Sequence, residues 1–212
     1  MGESGSGKTT SCRSLDPAST FYIDADQKGL SWRGWRSQYN PQAKNYYRGS
    51  SIEKIRTLLR RIDAEQVQIK VVVVDTINAM MIDDEFARMQ EKGYDKWADL
   101  AASVYGLILD ALNMREDLTI VFLAHTQTDR DDSGYQFTRI KTSGRKLDKI
   151  VLESKFTTVL LARCIGGRFV FETQARNSTA KTPMGLFDEA EIDNDLAAVI
   201  RALEAYEQGE LK

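Results

Sequence analysis

Gly2-Glu3-Ser4-Gly5-Ser6-Gly7-Lys8-Thr9 opens the chain, and its spacing, G-x-x-x-x-G-K-[ST], decides the fold class. Glycines at these positions let successive backbone N–H groups wrap a chain of phosphates. A lysine in the penultimate place reaches the β and γ phosphates, and the closing hydroxyl can ligate magnesium at a helix N-terminus. Residues Gly2 through Thr10 are therefore the candidate nucleotide-binding residues, with Lys8 as the charged member and Thr9 as a metal ligand. The same residues also fit Met-Gly-x-x-x-Ser, an acylation signal; it would put a lipid on the first glycine of the loop and reads as coincidence.

Such a loop works with an acid at the end of a buried strand, and Val71-Val72-Val73-Val74-Asp75 supplies one. An uninterrupted β-branched run reads as a strand covered on both faces, as in a parallel sheet. Asp75 is the second candidate ligand for Mg2+. Outward from this pair, Thr20–Asp24 reads as another strand and residues 51–66 as an amphipathic helix behind Ser50 and Ser51. Residues 97–112 repeat Leu100, Val104, Leu107, Ile108 and Leu112 on one face, and Leu118–Ala124 is a further short strand. Alternating strands and helices predict an α/β domain with a mainly parallel central sheet. The run from Lys8 to Leu15 reads as the start of a helix. Phe156–Arg163 and Arg168–Glu172 flank Gly166-Gly167 as a hairpin, and the last helix carries Leu196, Val199, Ile200, Leu203 and Tyr206.

At 212 residues with 42% hydrophobic and 28% charged composition, the chain is long enough for a full core, and a disordered or disulfide-scaffold protein is excluded. One domain spanning 1–212 is expected, with a core over 1–187 and an acidic helical end over 188–212. No stretch approaches the roughly 18 apolar residues of a spanning helix, so a cytoplasmic protein without membrane contact is expected. His125 is the only histidine, which leaves no basis for a histidine metal site.

The net charge of −2 conceals an uneven distribution. Residues 27–52 hold five bases and no acid, interleaved with Trp32, Trp35, Tyr39, Tyr46 and Tyr47; residues 185–212 hold eight acids and two bases. A cationic track with aromatic faces suits single-stranded nucleic acid, while the same aromatics would equally suit a core.

Beyond the two phosphate-site motifs, several stretches resemble RecA-like ATPases. Phe21-Tyr22-Ile23-Asp24-Ala25-Asp26 resembles the segment whose terminal acid orients the attacking water. That resemblance makes Asp26 the candidate general base and Asp24 the second, although the family usually carries Glu there. Phe122-Leu123-Ala124-His125-Thr126-Gln127 resembles the strand ending in a γ-phosphate sensor, assigning that role to His125 or Gln127. Arg145-Lys146-Leu147-Asp148-Lys149-Ile150-Val151 is similar to RadA. Gln174–Asn177 with Lys181–Phe187 resembles the segment that sends basic residues toward a neighbour's nucleotide, implying Arg176 or Lys181 and a homo-oligomer.

The loop after the sensor strand contacts DNA in these relatives, which marks Arg139, Lys141, Arg145, Lys146 and Lys149. The resemblance covers roughly residues 2–187. More narrowly, the chain looks like small phage-encoded ATP-binding proteins of the AAA type, including RecA-like single-strand annealing ATPases of phage recombination. It implies ATP and Mg2+ as ligands, single-stranded DNA as partner and ATP hydrolysis as activity. The alternatives are a nucleotide-binding regulatory module with negligible hydrolysis and a small-molecule kinase.

The start of the chain departs from the pattern: a phosphate loop is normally fed by a buried strand, and Met1 directly precedes Gly2. The expectation is a truncated or mis-started chain, or a sheet without its central strand.

Overall fold

The computed structural model describes residues 1–91, 95–143 and 151–210. The chain divides into two compact units, one of Met1–Leu15, Ala124–Lys141 and Leu152–Lys212, the other of Asp16–Leu123 and Thr142–Val151.

In the second unit, β1 (Thr20–Asp24), β2 (Tyr46–Arg48), β3 (Val71–Asp75) and β4 (Thr119–Leu123) form one parallel sheet in the order β2-β1-β3-β4. Every residue of β1 and β3 is buried, as unbroken apolar runs require of strands covered on both faces. Register sets Thr20 against Val71 and brings Asp24 level with Asp75. Two carboxylates thus share the C-terminal edge of the sheet, where parallel α/β folds place their ligands.

Helices flank this sheet: α1 (Trp35–Gln38), α2 (Ile52–Glu65), α3 (Ile77–Ala87) and α4 (Asp95–Leu112). Ser51 caps α2, its side chain accepting from the Lys54 N–H at 3.5 Å. Ile52, Ile55, Leu59 and Ile62 form the buried face of α2, against α4. On the rim of that contact, Asp110 of α4 accepts from Arg56 Nε at 2.7 Å and from Arg60 at 2.8 Å. The Arg56 hydrogen bond, foremost, holds the Asp110 carboxyl below its ordinary value. A depressed carboxylate stabilises the fold above its unfolded value and loses that contribution as pH falls through the folded one. Asp110→Asn should therefore cost about 1 kcal/mol in urea melts at pH 7. Below about pH 4 the difference from wild type should fade, and a difference unchanged at pH 3 would contradict the clamp.

Within the first unit, β5 (Thr126–Arg130) and β6 (Gln136–Ile140) pair antiparallel, and β7 (Leu161–Ile165), β8 (Arg168–Glu172) and β9 (Glu191–Asp193) form an antiparallel sheet in that order. Gly166 and Gly167 both have positive φ, 57° and 83°, which lets β7 turn directly into β8. The last helix, α5 (Leu196–Glu207), starts at Asp195, whose side chain accepts from the Ala198 N–H at 3.2 Å.

Four sequence expectations are corrected in this unit. The segment after Lys8 is a 3-10 helix, Thr9–Ser14, with Leu15 N–H donating to Cys12 O at 3.2 Å. The polar stretch after Thr126 is not loop throughout: its alternating side chains form β5 and β6 around a turn at 131–134. The strand expected from Phe156 starts at Leu161, because Leu152–Lys155 turns as a 3-10 helix about buried Glu153. That carboxylate accepts from Ile140 N–H at 2.7 Å and the Thr179 hydroxyl at 3.0 Å. Finally, the acidic end is not wholly helical, since Glu191–Asp193 pairs with β8 before α5 begins.

Met1 and Gly2 occupy a strand position in this unit. Gly2 N–H donates to Ala124 O at 2.9 Å, Ala162 N–H donates to Met1 O at 2.8 Å, and Gly2 bridges Ala162 in parallel.

Candidate phosphate site and acidic edge

The loop of the first unit leaves the Met1-Gly2 extended segment and enters the 3-10 helix at Thr9. Gly5 and Gly7 have φ of 78° and 92°, a left-handed conformation that glycine adopts without a Cβ penalty. The crowding at Gly7 is tighter still: an added Cβ would stand 2.7 Å from Phe169 Cδ1 and 3.2 Å from the Asn194 amide oxygen. Ser6, Lys8 and Thr9 are buried.

Lys8 turns its ammonium back on the loop, donating to Gly2 O and Glu3 O, both at 2.7 Å. Its Nζ also lies 3.5 Å from His125 Nδ1. The structure thus brings the loop lysine and the candidate sensor histidine together. The other sensor candidate, Gln127, donates to Asp129 Oδ1 at 3.2 Å. Arg176 lines a cavity of about 410 Å³ with Glu3, Ser6, Thr126 and Arg163, beside the loop of its own chain, and stands 3.9 Å from Glu191. Lys181 bonds through its backbone to Val159, N to O at 2.8 Å in both directions.

The acidic edge belongs to the second unit. Tyr22, fully buried in β1, donates its hydroxyl to Asp75 Oδ2 at 2.8 Å. Asp24 accepts from the Tyr46 hydroxyl at 2.6 Å and from Gly29 N–H at 2.9 Å. Burial, then the hydrogen bond to Asp24, raises the Tyr46 hydroxyl above its ordinary value. Asp26 accepts from the Thr76 hydroxyl at 2.8 Å and pairs with Lys28. For Lys28, burial opposes the charge, but the hydrogen bond to Asp26 and the fields of Asp75, Asp26 and Asp24 outweigh it and raise its value. Of the two candidate bases, Asp24 is 1% exposed and committed to the fold, whereas Asp26 is held by a hydroxyl and by the amine of a long, half-exposed side chain.

Oxygen donors are what a hard divalent cation selects. The Thr9 hydroxyl and the Asp75 carboxylate fit magnesium on this count, each in its own unit. Among the described residues, no group of three or more His, Cys, Asp or Glu side chains is arranged to hold a metal. Magnesium bound chiefly through nucleotide phosphates and water requires no such cage.

The basic groups marked for DNA divide. Arg139 pairs with Asp129 across β5 and β6, so it is committed to the hairpin. Lys141 is exposed. Arg145, Lys146 and Lys149 lie outside the described residues. In the aromatic stretch, Tyr39 is 1% exposed and packs on Tyr22 and Trp32, with ring centroids 5.5 and 6.1 Å apart. Trp35 packs on Tyr46 at 5.5 Å. These rings pack edge-on or tilted against one another, and two of them, Tyr22 and Tyr46, donate their hydroxyls to Asp75 and Asp24.

The sequence left these aromatics open between a core and a nucleic-acid surface, and it missed their hydroxyl bonds to the two acids and the packing of Phe169 and Asn194 on Gly7. Tyr22 had a usable signal, lying two residues before Asp24 on the same strand face. For Asn194 no local signal exists, since it meets Gly7 from the other end of the chain.

A family model described as AAA domain matches residues 1–184. No curated protein matches the chain. Among the described residues, no helix is long and apolar enough to cross a membrane.

Proposed function

Because the chain belongs to the AAA-domain family, we propose that it binds MgATP and hydrolyses it in a RecA-like manner on single-stranded DNA. The observation carrying this reading is Lys8, a residue 7% exposed whose ammonium donates to two carbonyls of its own loop. A buried cation held by neutral carbonyls gains strongly when a phosphate oxygen replaces them. Loop N–H groups then hold the phosphates, and Asp75 steadies the divalent ion. Magnesium supplies charge neutralisation for the β and γ oxygens. Asp26 accepts the proton of the attacking water once Lys28 gives way, His125 beside Lys8 responds to the γ-phosphate, and Arg176 or Lys181 adds positive charge at a neighbouring copy's nucleotide. The resemblance supports DNA as partner, assembly into a homo-oligomer and a role in phage recombination or replication; exposed Lys141 suits a DNA phosphate.

A second reading, a nucleotide-responsive module with negligible hydrolysis, is favoured by the Asp26–Lys28 ion pair, which engages the candidate base. Single-turnover hydrolysis of radiolabelled ATP, with and without single-stranded DNA, separates the two. Turnover that rises with DNA supports the enzyme; background rates in both arms, with intact ATP binding, favour the module. Gel shifts should also weaken steeply between about 50 and 200 mM salt, by about tenfold per few phosphate contacts. A salt-independent shift would remove DNA from the proposal.

A further inference from the structure

Tyr22 is wholly buried in β1, its ring centroid 5.5 Å from that of Tyr39 and 6.2 Å from that of Trp32. Packing alone asks for no hydroxyl there, and the next residue of the strand, buried Phe21, carries none. A buried phenol forfeits its bonds to water and needs a partner inside. Here the partner is a charged side chain, Asp75, whose Oδ2 accepts at 2.8 Å. Register explains the reach: Tyr22 lies level with Val73 of β3, so Asp75 follows two residues on, along the same face. Tyr46, level with Tyr22 on β2, repeats the diagonal to Asp24 of β1 at 2.6 Å. Asp75 is held by its main chain as well, its carbonyl accepting from Ala25 N–H at 2.7 Å and Asp26 N–H at 3.0 Å.

We infer that Tyr22 is the positioning residue of Asp75, its hydroxyl fixing the plane of the carboxylate that the divalent ion meets. The inference rests on the MgATP reading above and deepens it. Magnesium tolerates little departure from octahedral geometry and takes only one or two carboxylates beside phosphate and water, so the orientation of each carboxylate counts. The last torsion of an aspartate side chain is broad by nature. A hydrogen bond from outside the coordination sphere narrows it, and partners of this kind are typically worth about 10- to 100-fold in metal affinity. The ring of Tyr22 is itself packed against Trp32 and Tyr39, so its hydroxyl cannot follow a carboxylate that swings away. Because Asp26 N–H bonds to the Asp75 carbonyl, the residue oriented by Tyr22 also anchors the backbone of the candidate base. Tyr46 makes the same bond to Asp24, which carries no ion in this reading, and is therefore a matched control.

The test is calorimetric titration of the full chain with ATP, once in magnesium and once in EDTA; the ratio of the two affinities measures what the ion contributes. Tyr22→Phe keeps the ring and removes the hydroxyl. Its ratio should fall about tenfold or more below wild type, with the affinity in EDTA unchanged, while Tyr46→Phe should keep the wild-type ratio. A folded Tyr22→Phe with the wild-type ratio overturns the inference and leaves the MgATP reading standing. So does a variant weakened equally in both buffers, since that is damage to the fold and not to the ion's ligand. An equal fall in Tyr46→Phe overturns it too. Should Tyr22→Phe fail to fold, wild type decides: ATP bound with manganese should broaden the NMR signals of the Tyr22 ring through the paramagnetic ion, and signals that stay sharp overturn the inference. Wild type binding ATP equally in both buffers removes the ion's role and the inference with it; binding no ATP removes the MgATP reading as well.

Discussion

Lys8→Ala should lower ATP hydrolysis by about 10²- to 10³-fold, the loss seen when one preorganised donor to a developing oxyanion is removed. The same substitution should weaken magnesium-dependent ATP binding. Lys8 is buried, and its ammonium has found the Gly2 and Glu3 carbonyls. A phosphate displaces neutral acceptors with a charged one, so the lysine contributes more to the nucleotide complex than to the empty loop. The variant should therefore fold: the two carbonyls it frees lie on a loop whose backbone is held at Gly2 by Ala124 and Ala162. Circular dichroism should overlay wild type while calorimetry shows the loss of ATP. ATP binding undiminished in Lys8→Ala would remove the loop from the proposed chemistry.

The parts of this molecule that were legible in its sequence share one property: local pattern and tertiary role coincide there. Val71–Asp75 reads as a buried strand because four β-branched side chains precede the acid, and β3 runs over those five residues. Thr20–Asp24 pairs beside it with the two acids level. The loop's Gly5 and Gly7 take the positive φ that their spacing implies. Legibility ends where a residue's role is assigned by something distant. Thr126–Arg130 is polar and charged, which argues for a loop in isolation; pairing with Gln136–Ile140 satisfies its backbone and places Arg139 against Asp129. Trp32, Trp35 and Tyr39 fit a nucleic-acid surface by composition, yet each finds another ring. Tyr39 shows why composition cannot decide: a stacking platform and a packed core use the same side chain, and only the partner ring, 5.5 or 6.1 Å away, tells them apart.

Asp26→Asn should reduce single-turnover ATP hydrolysis by about 10²- to 10⁴-fold, the usual contribution of a positioned general base, while leaving ATP affinity near wild type. Asp24→Asn should behave differently, because the two acids are held differently. Asp24 is 1% exposed and receives the Tyr46 hydroxyl and Gly29 N–H. Both its donors persist in the variant, but the amide accepts them more weakly than the carboxylate and brings two N–H donors of its own into a buried site. The expected result is lost stability, about 1–3 kcal/mol in urea unfolding, with any loss of hydrolysis following the unfolded fraction. Asp26 instead sits between the Thr76 hydroxyl and the Lys28 ammonium, and Asn can keep the first bond while giving up the charge. Lys28→Ala separates restraint from chemistry: if the ion pair holds the base back, its removal should raise basal hydrolysis and shift the pH dependence of the rate toward higher pH. The direction follows from charge, since a carboxylate relieved of its ammonium partner binds protons more readily. If Asp24→Asn, rather than Asp26→Asn, abolishes turnover in fully folded protein, the roles are reversed and Tyr46 becomes the group that tunes the base.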